Sequence, residues 1–371
     1  MAALTEWRLD DPEQIEAADP GNMLRQVASS AAQVRSALQA TQETDLSAVL
    51  SAGRPRAIVV SGMGGSGIAG DVLSAVCGPG SPVQILPVHG YRLPGWVSAS
   101  DLVIAVSCSG STEETLSAAG DAVRRGCRLI GVGGTGSPLA GLAEQAHAPF
   151  VPVRSAGMPR STLWGLSIPL IGVAARLGLC EAGPEAHEAA AQVLEGMSQR
   201  CRPDSDSFVN PAKGLALELA GTLPMIWGST PLAGVAAYRF ACQLNENAKY
   251  AAIAGVLPEA NHNQVVAFDG PFAPDPGQVE NGDRRGVPLR LVMLSDAGEH
   301  PQVTKRREAS VRLAAERGIG VTELAADGKH PLQRLASLVQ LIDYATVYLG
   351  IALGYDPSPI TAIQELKASI A

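Results

Sequence analysis

Residues 102–115 read LVIAVSCSGSTEET. An apolar, β-branched run, Leu102 to Val106, ends in four hydroxyls, Ser107, Ser109, Ser111 and Thr112, just where helix-forming residues begin. That grammar predicts a buried strand feeding through a short polar loop into a helix. It is repeated upstream: residues 56–67 read RAIVVSGMGGSG, a strand over 56–61 and a glycine-rich turn into a helical pattern over 66–76. Outward from these two units come strand-like runs at 83–88, 128–132 and 150–153, with helical periods over 111–125 and 137–146. Strands that are apolar throughout and alternate with helices predict a parallel sheet with helices on both faces. A longer apolar helix over 162–178 closes this half.

Further upstream, residues 21–41 carry Met23, Leu24, Val27, Ala31, Val34 and Leu38 at helical spacing. Downstream, the polar stretch 201–206 reads as a linker. After it follow a helix over 207–221, a strand over 223–227, a helix over 233–249, strands near 288–294 and 319–325, helices near 302–317 and 332–352, and a C-terminal helix over 359–370. Residues 269–286 lack periodicity and read as a surface loop. The expected fold is α/β: two doubly wound parallel-sheet subdomains with flanking helices. The expected division is an N-terminal helical segment over 1–50, a first subdomain over 51–200 and a second over 201–371.

Composition agrees. The 371 residues suit two domains of about 150 each. Apolar residues at 46% exclude global disorder, and a net charge of −8 argues against nucleic acid as the partner. No apolar run approaches about 18 residues, so no membrane span is expected. The first 20 residues lack a hydrophobic signal core, so the expected location is cytoplasmic. Cys77, Cys108, Cys127, Cys180, Cys201 and Cys242 form no CxxC pair. Neither a zinc site nor a disulfide framework is indicated.

The two loops carry the chemistry. Gly62, Gly64 and Gly67 fit the dinucleotide pattern GxGxxG, but that pattern also needs an acid at the end of the next strand. Here that strand ends Pro87-Val88-His89. What remains is general: Gly64, Gly65 and Ser66 bring backbone N–H groups and a hydroxyl to a helix N-terminus, where an anion is stabilised. The second loop adds Ser107, Ser109, Ser111 and Thr112. Such a pair of loops suits a phosphate monoester.

In order along the chain stand Gly62 to Ser66, Ser107 to Thr115, Pro159-Arg160, Asn245 to Lys249, Pro258 to Asn263 and a C-terminal Lys367. This series resembles the bifunctional phosphoglucose/phosphomannose isomerases, which are built on sugar isomerase (SIS) domains. The resemblance covers about residues 50–371. It implies interconversion of glucose 6-phosphate or mannose 6-phosphate with fructose 6-phosphate through an enediolate, without cofactor or metal. It further implies that Glu246 moves the proton between C1 and C2, that His262 opens the sugar ring, that Arg160 stabilises the enediolate and that Lys367 lies near the ring oxygens or phosphate. It implies a homodimer in which His262 reaches the partner's cleft. A single carboxylate can take and return the proton on one face, and imidazole can protonate a ring oxygen near neutral pH.

Several positions depart from the family pattern: Cys108, Ser111 in place of Asn, residues 158–164, and Gln264-Val265 where Glu-Ile is usual. They leave open the alternative of a non-catalytic phosphosugar-binding regulator. A glutamine-dependent amidotransferase would need a glutaminase domain, for which residues 1–50 are too short.

Overall fold

Two units, each holding one parallel sheet, make up the chain. The computed structural model describes residues 9–154, 157–273 and 287–370. The first helices, α1 (Pro12–Ala18) and α2 (Met23–Ala28), are capped by acids. Asp11 accepts from the Glu13 and Gln14 N–H groups, and Asp19 from those of Met23 and Leu24. The helix expected over 21–41 is interrupted. After α2, the next helix α3 (Ser30–Glu43) starts beyond Ser29. Serine hydroxyls compete for local backbone bonds, which suits the pair Ser29-Ser30 to a break. The division between units falls at this point: the residues up to Val27 belong with the second sheet, and Ala28–Glu195 with the first.

The first unit runs through α4 (Ser47–Ser51), β1 (Ala57–Ser61), α5 (Ile68–Cys77), β2 (Gln84–Val88), β3 (Leu102–Ser107), α6 (Glu113–Arg124), β4 (Arg128–Gly133), α7 (Pro138–Gln145) and β5 (Phe150–Pro152). A short turn, Pro159–Ser161, leads into α8 (Leu163–Arg176), and α9 (Pro184–Arg200) follows. The strand order is β2-β1-β3-β4-β5, all parallel, with Ile58 opposite Leu102 and Leu102 opposite Arg128. Side chains alternate across the sheet. Val59, Val103, Ala105 and Leu129 pack on Ala118, Ala119 and Ala122 of α6 and Leu139 of α7. The other face meets α5, where Gly70 lies so close that a Cβ there would be 3.0 Å from Val60 Cβ. Both faces are thus covered, as the apolar strands predict. The order reverses between β1 and β3, so the loops leaving these two strands diverge over a crevice.

The second unit contains α10 (Pro211–Leu219), β6 (Leu223–Gly228), α11 (Pro231–Ala248), β7 (Ile253–Val256), β8 (Leu289–Ser295), α12 (Pro301–Glu316), β9 (Gly320–Ala325), most of α13 (Pro331–Ala352), and α14 (Thr361–Ile370). Its order is β7-β6-β8-β9, again all parallel. Besides the short helices α1 and α4, a strand and a longer helix escape the sequence reading. Edge strand β7 is apolar but only four residues long, holds a glycine and has no fully buried residue. Helix α9 buries His187, Ala190, Ala191, Leu194 and Met197, a stripe too small and mixed to announce a helix strongly. One helix tests the expectation of no membrane span. Helix α13, 22 residues of mean hydropathy 1.5, is long and apolar enough by length and composition, but its apolar window is wholly buried, as in a core helix. Of the loop expected over 269–286, residues 274–286 lie outside the described residues.

A polar ladder fixes α11 against α13. Arg239 donates to both Asp343 oxygens, at 2.9 and 2.6 Å, and Gln243 donates to Asp343 Oδ1 at 3.1 Å. One turn further, Asn247 donates to Thr346 Oγ1 at 3.0 Å. The side chains of Arg239 and Asp343 are each only 4% exposed. Removing one partner of such a pair strands a buried charge. Asp343→Ala is therefore expected to cost about 3–5 kcal/mol in chemical denaturation; a loss below about 1 kcal/mol, the range of exposed pairs, would show that the ladder does not hold the helix.

Candidate active site

The first glycine loop leaves β1 and opens α5. Gly64 takes φ +52°, a left-handed conformation that favours glycine, and lets the chain turn. Ser66 is buried, and its Oγ accepts from the Cys108 N–H at 3.0 Å, which joins the first loop to the second. At the end of β2, His89 Nδ1 donates to the Gly62 carbonyl at 3.0 Å, so a third strand end steadies the same turn.

The second loop is a hydroxyl network. Ser107 is wholly buried; its Oγ accepts from the Gly110 N–H at 3.0 Å and lies 2.9 Å from Thr112 Oγ1 and 3.5 Å from Ser109 Oγ. Ser109 Oγ in turn accepts from the Ser111 N–H at 3.2 Å and the Ser111 hydroxyl at 3.0 Å. Ser107 thus shapes the loop from inside, while Ser109 and Ser111 are exposed. Thr112 stands at the N-cap of α6 but makes no side-chain cap, and α5 likewise opens at Gly67 without one. At α6 no capping side chain satisfies the N-terminal amides, whereas at α5 the Gly67 and Ile68 N–H groups donate to the Gly64 carbonyl, Ala69 to Ser66 and Gly70 to Gly67.

The Arg160 turn packs against the first of these loops. A Cβ on Gly65 would lie 3.0 Å from the Pro159 carbonyl oxygen and 3.2 Å from Arg160 Cα, an approach that requires glycine. Arg160 itself is buried. Gln33, on α3, braces the turn from behind, a role the sequence does not announce. Its Nε2 donates to the Ser161 carbonyl at 2.7 Å and its Oε1 accepts from the Gly165 N–H at 3.4 Å. A glutamine on a helix reads as a surface residue until the turn it supports is known.

The second sheet has an equivalent crevice between β6 and β8, but carboxylates fill it. Thr230 Oγ1 donates to Asp296 Oδ2 at 3.1 Å while accepting from the Ala233 N–H, and Ser229 Oγ accepts from the Asp296 N–H. Beside it, burial pushes Glu299 up, yet hydrogen bonds from Ser229, Thr304 and Arg307 together hold its carboxyl below the usual range. An added anion would meet like charge here.

Glu246 lies half-buried in the last turn of α11. An acid there opposes the helix dipole. Lys249 offsets it: the helix ends on this residue in a left-handed conformation, and its Nζ donates to the Glu246 carbonyl at 2.7 Å. Asn245 donates to the Tyr250 carbonyl and Asn247 to Thr346, so both neighbours of Glu246 are anchored.

His262 ends a 3₁₀ turn, Glu259–His262, and is exposed. Its neighbours hold the turn: Asn261 donates to Ser310 Oγ at 2.8 Å and Asn263 to Glu259 Oε1 at 3.0 Å. Gln264 fastens the same segment to the sheet, accepting from Trp227 Nε1 at 2.6 Å and donating to the Ala254 carbonyl at 3.0 Å. A carboxylate at 264 could accept the first bond but not donate the second. That departure from the family pattern thus has a local structural reason. Lys367 is exposed on α14, a helix with no buried residue.

The comparisons agree with this architecture. Residues 208–370 match the family model described as the bacterial phospho-glucose isomerase C-terminal SIS domain. The chain is 33% identical over 314 residues to the bifunctional phosphoglucose/phosphomannose isomerase of Caldicellulosiruptor bescii, covering 85% of this chain and 89% of that one. It is 30% identical to the enzyme of the same name from Aquifex aeolicus, covering 85% and 90%. Among solved structures, a hypothetical protein of Thermus thermophilus shares the fold, with a TM-score of 0.70 at 15% identity over 97% of this chain and 93% of that one. With a relative above 30% identity matched over most of both lengths, the chain belongs to the bifunctional phosphoglucose/phosphomannose isomerase family and is an isomerase built on SIS-type sheets.

Proposed function

We propose that the chain interconverts glucose 6-phosphate or mannose 6-phosphate with fructose 6-phosphate through an enediolate, as a cytoplasmic homodimer. The observation that carries the anchoring step is the start of α6, which opens without a side-chain cap beside the Gly64–Gly65 turn at the first sheet's switch point. The dianion of a phosphate monoester accepts hydrogen bonds only, and this crevice supplies donors: amides at Gly64, Gly65 and the start of α6, with hydroxyls of Ser66, Ser109, Ser111 and Thr112. Ser107 would act by holding Thr112 and Gly110 in place. Ser109→Ala is expected to weaken substrate and inorganic phosphate together by about 1–3 kcal/mol, the range for a bond to a charged group. Inhibition by phosphate that is unchanged in this variant would overturn the anchoring role.

Glu246 would carry the proton between C1 and C2, His262 would protonate the ring oxygen to open the ring, and Arg160 would stabilise the charge that develops on the enediolate. Lys367 would supply a second cation near the ring oxygens or phosphate. The anchored neighbours of Glu246 and the braced turn of Arg160 support these roles, since a proton carrier and a charge stabiliser must be held in one geometry. Glu246→Gln keeps the shape and removes the basicity. It is expected to lower kcat by about 10²–10⁴-fold with little change in phosphate inhibition; full activity would sink the assignment.

The dimer is supported by α14, which exposes Ile363, Leu366 and Ile370, with Leu366 62% and Ile370 76% accessible. Uncovered apolar side chains on one helix suit burial against a second copy. If His262 serves the partner's site, mixing inactive Glu246→Gln and His262→Ala chains restores part of the activity, because some hybrid sites regain both groups. Mixed chains that exchange subunits and stay inactive would refute the shared site.

A further inference from the structure

The parallel strands of the first sheet give it a second end, opposite the crevice, and arginines gather there. An open basin at the starts of β1, β3 and β4 is lined by Arg54, Arg56, Ser100 and Arg128. It lies a strand length from the crevice, roughly 17–20 Å at the usual rise per residue. The chain draws the three arginines together. The Arg56 N–H and Arg128 Nη2 both donate to the Ser100 carbonyl, at 2.9 and 3.4 Å. Arg128 Nη1 donates to the Gly53 carbonyl at 2.7 Å, next to Arg54. Arg56 alone meets a carboxylate: its Nε and Nη2 donate to buried Asp101 at 2.9 and 2.6 Å. Its guanidinium also lies over the Trp96 ring, 5.3 Å from the centroid. Among the described residues, Arg128 meets carbonyls only, and the Arg54 side chain makes no hydrogen bond.

Three cations against one carboxylate leave two positive charges unbalanced, in a chain whose net charge is −8. Like charges gathered in this way repel, and a bound anion would relieve them. The donors left over indicate its chemistry: the whole Arg54 guanidinium, Arg56 Nη1 and Arg128 Nε. Guanidinium groups present planar forks of N–H donors that match phosphoryl oxygens. Donors spread over three side chains, with two charges to balance, suit a chain of phosphoryl groups better than a single one. We infer that this basin binds a phosphoanhydride chain, that of inorganic polyphosphate or of a nucleotide. For a nucleotide, the exposed Trp96 beside Arg56 offers a ring on which a base can stack. The basin and the crevice lie at opposite ends of one sheet, so the two can be filled together.

The test is titration calorimetry of the full chain with inorganic tripolyphosphate at low salt. Saturable binding, tighter than that of inorganic phosphate, is expected, and it weakens as salt is added. Arg54→Glu is expected to weaken it at least about tenfold, the effect of losing a bond to a charged group. The melting temperature should not change, because the Arg54 side chain holds no other group in place. Arg54→Lys keeps the charge and most of the affinity, and Ser109→Ala, a change in the crevice, leaves tripolyphosphate binding as it is. ATP separates the two sources. Binding tighter than that of tripolyphosphate, with tryptophan quenching that Trp96→Phe removes, marks a nucleotide; equal or weaker binding marks free polyphosphate. Tripolyphosphate that binds no tighter than phosphate, that binds Arg54→Glu as well as the parent chain, or that is lost in Ser109→Ala overturns the proposal. The readout is binding rather than turnover, so the outcome is independent of the substrate assignment.

Discussion

Parallel pairing is the constraint from which the rest of this structure follows. Every strand pair in both sheets is parallel, so each connection must carry the chain back across its sheet, in most cases through a helix though not between β2 and β3, and each strand delivers its loop to the same end of its sheet. The helices that cover the faces make the strands apolar throughout, and β1 and β3 are buried along their whole length. Once the order reverses between β1 and β3, the Gly64–Gly67 turn and the Ser107–Thr112 loop must open beside each other. The contact between Ser66 and the Cys108 amide is the local record of that geometry.

Much of this was legible in the chain itself, because the strongest signals are local. Runs such as residues 102–107 are apolar on both faces, and the change from strand to hydroxyl loop to helix occurs within a few residues. The five strands of the first sheet and three of the four in the second follow from such runs. The exceptions lack local signal. Strand β7 contains Ala254 and Gly255 at a sheet edge, and its identity depends on pairing with β6 rather than on its own residues. The break between α2 and α3 interrupts an unbroken apolar period; the Ser29-Ser30 pair permits it, and the division of the chain into two units falls beside it.

The candidate site divides in the same way. Residues that carry recognisable chemistry, among them Ser109, Glu246 and His262, sit in motifs that can be read. Those that hold them in place do not. Gln33 lies 128 positions from the Ser161 carbonyl it binds, and Asp343 stands 104 positions from Arg239. Nothing in either residue's neighbourhood announces its partner. Gln264 is an intermediate case: its departure from the family pattern is visible in the sequence, but its meaning depends on Trp227 and Ala254 lying on either side of it.

The acid in the second crevice also governs how the chain meets a crowded solution of metabolites. Asp296 is tethered one residue beyond β8, so its carboxylate is present at Thr230 at an effective concentration that a free anion in solution does not match. A diffusing phosphate would have to compete with a ligand that never leaves. Two sheets of similar winding therefore do not make a bivalent binder. On the reading proposed above, one crevice is left for the substrate, and the other carries its own permanent occupant.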